Sequence, residues 1–435
     1  MSTPETTFWQ PATETMSRDR LAAWQWVKLR KALAHARTNS KFWATRIPDG
    51  LESLADFQER VPLLYKKDLV AAEAVDPPFG ILPSTDPVAG VRFHQTSGTS
   101  GHTPLRTFDT ARDWAWGVDM WCAALHAAGV RPGQKGCVAF GYGLFMGFWG
   151  MQDALSRMGC TIVPTGSMDS VTRVRLIVDQ GIEVLGSTPT YAMRLLETAA
   201  ELGIDLATDS KLRIIVTGAE PRSAATTRTL TEGFGARVFD FAGMTELGTV
   251  FMFECPSRPG ACHIIEPGVV EEVLDPGTGR PAGYGERGVR VMTGLGREGI
   301  QVFRYWTDDV VVKRPWHDCP CGRTWDFYDG GILGRSDDMR KIRGISVTPV
   351  LVEDVVRGFD AVAEFQTVLR TDGGLDKMVL RIEPRPGADQ AALAAGVRDA
   401  VKRLIGLQPE VRLAAPGELP RFEAKAARFH DERDR

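Results

Sequence analysis

Between residues 135 and 241 short apolar runs alternate with helix-like segments, and few folds accommodate that alternation. The runs are Cys137–Phe140, Cys160–Val163, Glu183–Leu185, Arg213–Val216 and Arg237–Phe241, separated by stretches of helical spacing such as Pro189–Leu202. Strand, helix, strand repeated this way predicts βαβ units around a mostly parallel sheet, an α/β fold. In such sheets the loops that carry chemistry lie at the carboxyl ends of the strands.

The texture changes on either side. Residues 1–16 are polar and read as loosely ordered; after Ser17, Ala22, Trp26, Leu29 and Leu33 recur at helical spacing. From about 262 to 333 helical periodicity gives way to strand-like runs (Val269–Leu274, Gly288–Thr293, Val310–Lys313) between Gly and Pro turns, which predicts a small β unit beside the main sheet. Beyond Gly334 the pattern is helix at 350–357, strands near 362–370 and 377–383, helix over 389–405 and a strand at 410–413, a compact α+β domain. The expected division is a large N-terminal domain, 1–334, containing the β subdomain at about 262–333, and a C-terminal domain, 335–435.

The 435 residues suffice for two or three domains. A net charge of −3 gives no general pull toward nucleic acid or an anionic membrane, and neither is expected as a partner. Seven cysteines, an odd number, with no charged-then-apolar leader, fit a reduced cytoplasmic protein better than a disulfide scaffold. The apolar stretch Cys137–Met151 is interrupted by glycines and too short to span a bilayer.

The segment Thr96-Ser97-Gly98-Thr99-Ser100-Gly101-His102-Thr103-Pro104 interleaves small hydroxyl residues with glycine. Backbone N–H groups and hydroxyls can then converge on an anion. Read alone, it fits a solvated Ser/Gly linker as well as a phosphate loop. It lacks the Gly-Lys-Ser/Thr of a nucleoside triphosphatase P-loop.

A second constellation is Cys255, His263, Cys319 and Cys321. Three thiolates and an imidazole make a closed tetrahedral zinc set, with Cys262 or His317 as possible replacements for one ligand. The Cys-x-Cys spacing is less diagnostic than Cys-x-x-Cys. Cys122, Cys137 and Cys160 lie in apolar runs and read as core thiols.

The Ser/Gly segment resembles the phosphate loop of the acyl-adenylate-forming ligases, and further motifs follow in that family's order. Phe140-Gly141-Tyr142-Gly143-Leu144-Phe145 is similar to the aromatic loop of the phenylacetate–CoA ligase branch. Thr217-Gly218-Ala219-Glu220-Pro221 resembles the adenine-side loop, and Phe241-Ala242-Gly243-Met244-Thr245-Glu246 the aromatic-Gly-x-Thr/Ser-Glu motif. Tyr305-Trp306-Thr307-Asp308-Asp309 stands where the family has Thr-Gly-Asp. Gly334–Met339 with Ile342-Arg343-Gly344 resembles the interdomain hinge, and Lys425 stands where the family keeps its catalytic lysine. The resemblance runs from about residue 20 to the end.

It implies an enzyme that uses Mg·ATP to convert a small carboxylic acid, an aromatic one by the motif at 140–145, to acyl-AMP. Transfer to coenzyme A would follow, after the mobile C-terminal domain swings about Asp337, with Arg343 and Gly344 near the pantetheine arm. Catalytic roles fall to Lys425, Glu246 (also the magnesium ligand) and Thr245. The nucleotide would be held by Ser97, Gly98, Thr99, Ser100, Gly101, Gly218, Ala219, Glu220, Pro221, Asp309 and Arg335. The acid would be held by Phe140, Tyr142, Phe145 and Phe241. Some relatives carry a similar Cys/His set, which supports a structural zinc here, and a monomer or homodimer is expected.

The runner-up is the same adenylation with an amine, hydroxyl or carrier-protein thiol as acceptor. A third reading, a catalytically inactive nucleotide-binding relative, is motivated by departures from the family pattern. His102 replaces a Lys or Arg, Ala242 an adenine-stacking aromatic and Asp308 a glycine, and Leu247–Val250 lacks the usual Gly-Pro turn. Glu246, Asp309 and Lys425 speak against that reading.

Overall fold

The computed structural model describes residues 7–96, 103–141, 143–372, 375–422 and 427–433. These fall into two compact units. One comprises residues 1–187, 211–219 and 237–332; the other comprises 188–210, 220–236 and 333–435.

The first unit is built on one continuous sheet. Its strands run in the order Val269–Leu274, Arg287–Gly294, Tyr305–Arg314, Phe327–Asp329, Arg258–Ile264, Thr249–Cys255, Arg237–Met244, Ile214–Thr217, Val184–Ser187, Lys135–Val138, Thr161–Ile162. Pairing is parallel from Arg237–Met244 to the Thr161–Ile162 edge. It turns antiparallel from Thr249–Cys255 outward. The expected β unit is therefore not a separate layer: the hairpin joining Arg237–Met244 to Thr249–Cys255 carries the same ladder on into it. Strands Val184–Ser187 and Ile214–Thr217 are buried at every position, as expected of parallel strands covered on both faces. Helices Gly147–Arg157 and Ser170–Asp179 form the crossovers on either side of Thr161–Ile162.

Helix Arg18–Asn39 buries Leu21, Gln25, Leu29, Leu33 and Ala36, spaced at three and four residues. Helix Ala111–Ala128 begins with a capping box between Thr110 and Asp113. Asp113 also accepts from the backbone N–H groups of Glu298 (2.7 Å) and Gly299 (3.0 Å), which ties the helix start to a distant loop.

The expectation of a loose N-terminus fails for residues 7–16. Pro11–Glu14 is helical, and Glu14 is fully buried. Its carboxylate accepts from Arg323 Nε at 2.8 Å, while Trp325 Nε1 donates to the Thr13 carbonyl at 3.0 Å. A polar segment orders here because its charge meets a buried partner some 309 positions away.

In the second unit, strands Glu410–Leu413, Leu375–Pro384, Val362–Asp372 and Phe429–Asp431 form a sheet in that order. Helices Pro349–Arg357 and Gln390–Ile405 contribute Val352, Val356, Leu393, Val397 and Val401 to its apolar core. Arg343 and Gly344 form the two-residue turn of the hairpin Arg340–Ile342 and Ile345–Val347. Among the described residues no helix is long and apolar enough to cross a membrane.

Candidate active site and a Cys–His cluster

At the carboxyl ends of the parallel strands the first unit holds a cavity of about 220 Å³. Its walls bring together segments far apart in the sequence. Gly218 and Ala219 follow strand Ile214–Thr217, Phe241 and Gly243 end the neighbouring strand, and Thr245 and Glu246 lie in the turn beyond. Gly218 is a close-approach position, because a Cβ there would come within 2.6 Å of the Phe241 carbonyl oxygen. Ala219 takes a positive φ of 72° in the same loop. The apolar wall comes from Val118, Trp121, Phe145, Met146, Phe148 and Phe241.

Thr96 also lines the cavity. Its N–H donates to the Leu105 carbonyl and its Oγ1 accepts from the Leu105 N–H, both at 2.9 Å, which pins the two ends of the Ser/Gly segment together. Ser97, Gly98, Thr99, Ser100, Gly101 and His102 lie outside the described residues, as do Tyr142 and Lys425.

Phe145 and Phe241 face the cavity; Phe140 is not among its lining residues and packs its ring on Phe148 (4.6 Å between centroids) and Phe145 (5.8 Å). Glu246 Oε1 accepts from the Tyr305 hydroxyl at 3.2 Å. Asp309 lies on strand Tyr305–Arg314, outside the cavity lining, paired with the buried Arg290 guanidinium; its N–H donates to Thr307 Oγ1 at 3.1 Å. Arg290 is in turn stacked over Phe251, 3.9 Å from the ring centroid. In the second unit Glu220 Oε1 accepts from the Thr190 N–H at 2.7 Å, at the start of helix Pro189–Glu201, with Pro221 following it. Arg335 forks onto Asp337 through Nε (2.8 Å) and Nη2 (2.7 Å).

Several contributors escaped the sequence reading, among them Val118, Met146 and Phe148 of the apolar wall. Trp114 and Trp121 stand in the cavity wall on helix Ala111–Ala128. Arg297, buried, donates through Nη1 to the carbonyls of Thr245 (2.9 Å) and Glu246 (3.2 Å), and its Nε is 2.8 Å from Asp109 Oδ1. Behind Trp114, His94 is almost fully buried and stacks on that indole at 5.4 Å. Burial, reinforced by the nearby Arg297 charge, pushes the His94 imidazole down to about 4, so it stays neutral near pH 7.

The Cys/His set also assembles. The ligand atoms of Cys255, His263, Cys319 and Cys321 all lie within 4.8 Å of one another. Cys255 Sγ is 3.6 Å from Cys319 Sγ, and Cys321 Sγ is 3.2 Å from His263 Nε2. The first is near the S–S edge of about 3.7 Å that a tetrahedron of zinc–sulfur bonds requires. His263 Nδ1 lies 2.9 Å from the Trp325 carbonyl oxygen; that oxygen can only accept, so Nδ1 carries a proton, and Nε2 is the nitrogen turned toward the thiols. Cys262, next along the strand, turns to the opposite side toward Gly331, and His317 is exposed beside Asp318. Burial pushes the thiols of Cys122 and Cys137 up to about 12 and that of Cys160 up to about 11, which suits inert core positions.

Residues 94–296 match the AMP-binding enzyme family, and residues 344–433 match the AMP-binding enzyme C-terminal domain. The chain is 33% identical over 442 residues to a phenylacetate-coenzyme A ligase of Thermus thermophilus, covering 95% of this chain and 97% of the relative. It is 31% identical to a phenylacetate-coenzyme A ligase of Escherichia coli, covering 97% of each. Among solved structures it resembles 2-hydroxyisobutyryl-CoA ligase in complex with 2-HIB-AMP. The TM-score is 0.93 at 26% identity, over 99% of this chain and 94% of that one.

Proposed function

Because the chain belongs to the acyl-adenylate-forming ligases, in their phenylacetate–CoA ligase-like branch, we infer that it activates a carboxylic acid with ATP and passes the acyl group to coenzyme A. In the first half-reaction a carboxylate oxygen attacks the α-phosphorus of ATP and pyrophosphate leaves. In the second, the CoA sulfur attacks the acyl carbon, the thiol proton is released, and AMP leaves. Both reactants of the first step are anionic, so the site must neutralise charge while holding them in line.

The acid is aromatic in this reading. The observation that carries it is the cavity itself: an apolar wall that includes Trp121, Phe145, Phe148 and Phe241, shared with Thr245 and Glu246. Flat aromatic walls suit a planar ring, and Thr245 and Glu246 would stand beside the reacting carboxylate. Thr245 would donate its hydroxyl to the α-phosphate. Glu246, oriented by the Tyr305 hydroxyl, would hold magnesium, which supplies positive charge to the phosphate oxygens. The Ser97–Gly101 loop, Gly218 and Ala219 would present backbone N–H groups to the nucleotide, with Glu220 and Pro221 following on. Asp309 would take the ribose hydroxyls, and Arg335 the ribose or phosphate after release from Asp337. Lys425 would bring a compact positive charge to the reacting carboxylate. Asp337, Arg343 and Gly344 remain the proposed hinge and pantetheine contacts.

The donor set of Cys255, His263, Cys319 and Cys321 fits zinc, and its role would be structural, joining strands Thr249–Cys255 and Arg258–Ile264 to the 319–321 turn.

Incubation with ATP and a panel of aryl and alkyl acids, with and without CoA, tests the reading. Aryl-dependent pyrophosphate release with CoA-dependent thioester is expected. Pyrophosphate exchange only with alkyl acids would overturn the aromatic assignment, and adenylate without CoA-dependent turnover would overturn CoA as acceptor.

A further inference from the structure

The indole N–H of Trp121 is the anomaly of the cavity. Trp121 is 7% exposed, and two other buried tryptophans donate to carbonyls: Trp43 to Gln301 and Trp325 to Thr13, each at 3.0 Å. Trp114, in the same cavity wall, donates to Asp153 at 2.7 Å. Among the described residues Trp121 Nε1 has no such acceptor. Buried indole N–H groups ordinarily find one; this one has none among those residues, and it is not sealed from water, so it is left to the cavity that Trp121 lines.

The placement of this edge is specific. A Cβ on Gly150 would come within 2.6 Å of Trp121 Nε1 and 2.8 Å of Cδ1. The Nε1 edge therefore lies against a point of helix Gly147–Arg157 that carries no side chain, and Gly150 is itself a cavity-lining residue. On the other side Phe241 holds the indole with ring centroids 5.9 Å apart. Two other lining donors are committed to the protein: the Thr217 hydroxyl to the Phe239 carbonyl (3.0 Å) and the Thr249 hydroxyl to the Gly117 carbonyl (2.9 Å). A water bridging Trp121 would need two to four polar partners, and the surrounding wall of Val118, Phe148 and Phe241 offers few.

We propose that Trp121 is a specificity-determining residue whose Nε1–H donates to an acceptor atom on the ring of the bound acid, so that the enzyme selects oxygen-substituted aryl acids over their hydrocarbon counterparts. The proposal rests on the aromatic reading above and sharpens it. A pocket built around one donor discriminates strongly, because an acid lacking the acceptor leaves that donor buried and unpaired. Methoxy and ethyl substituents match closely in size and differ in the acceptor alone, so their ratio isolates the hydrogen bond.

The test is ATP–pyrophosphate exchange by the full-length enzyme with ortho-, meta- and para-methoxyphenylacetate, each against the matching ethyl compound. At one ring position the methoxy acid should exceed the ethyl acid in kcat/KM by about tenfold. Trp121→Phe, which keeps an aromatic ring without the donor, should bring that ratio close to one whatever its overall activity. The wild-type pair series stands without the variant should that protein fail to fold. Ratios near one at every position, or a ratio that survives Trp121→Phe, would overturn the proposal and leave the aromatic assignment standing. Exchange with no aryl acid at all would overturn both.

Discussion

Arg297 holds Glu246 by its main chain: its guanidinium donates to the Glu246 carbonyl at 3.2 Å and to that of Thr245 at 2.9 Å. The same group is anchored to Asp109, so the turn carrying the two proposed catalytic residues is tied to the strand Arg106–Thr110. A planar fork can serve these acceptors together; a lysine ammonium presents a point charge on a flexible stem. Arg297→Lys is therefore expected to lower pyrophosphate exchange by about tenfold or more, with the fold retained. Arg297→Ala should also cost about 3–5 kcal/mol of stability, because it leaves Asp109 buried without its counter-ion. Exchange assays and denaturant melts check the two effects separately; wild-type exchange in Arg297→Lys would remove the positioning role.

His94 gives a pH signature with a definite sign. Its folded-state value is lowered from 6.5 to about 4 by burial first and by the Arg297 charge second. The unfolded chain then binds more protons than the folded one between those values, so stability is complete above about pH 6.5 and declines as pH falls toward 4. His94→Phe, which preserves the ring against Trp114, should flatten this part of the profile. Thermal melts from pH 4 to 8 on both proteins provide the measurement, and parallel profiles would rule out His94 as the source.

Lys425 carries the prediction that separates the half-reactions. Lys425→Ala should reduce adenylation by orders of magnitude yet leave thioester formation from preformed acyl-AMP largely intact, since its proposed charge acts on the carboxylate and phosphorus only. Single-turnover assays of each half-reaction decide it. Equal losses in both would withdraw the role.

The parallel strands were legible because they are buried on both faces: the short runs Glu183–Leu185 and Arg213–Val216, read between helical segments, fall on strands Val184–Ser187 and Ile214–Thr217. The Cys/His set was legible from ligand type alone, although only three dimensions separate His263 from its neighbour Cys262, which faces the other way. Trp121 and Arg297 were not legible. An apolar residue on a buried helix face announces packing, and its unpaired N–H exists only once the acceptors around it are placed. Arg297 reads as a surface charge until Asp109 and two carbonyls close on it.

Elemental analysis should find about one zinc per chain, and chelation should lower the melting temperature. Cys319→Ser should lose the metal and share that lower melting point while retaining measurable exchange activity, because the proposed metal joins strands rather than touching substrate. Protein without zinc, unaffected by chelation, would return the four residues to plain cysteines and a histidine.

The N-terminal segment gives the last prediction. Glu14 and Arg323 are both buried and paired at 2.8 Å, and the Arg323 N–H donates to Cys321 Sγ at 3.4 Å. Burial pushes the Glu14 carboxyl above its ordinary value, against the pull of Arg323, so the pair carries a desolvation cost that its attraction offsets only while both members are present. Glu14→Leu alone should therefore cost about 3–5 kcal/mol, since it strands the arginine. Combining it with Arg323→Met should restore most of the loss, because neither charge is then left unpaired and the Arg323 backbone donor to Cys321 is kept. Denaturant midpoints for the two single variants and the double variant complete the cycle. Additive losses would mean that the residues act independently and that the segment is held by Phe8, Trp325 and the Thr13 carbonyl instead.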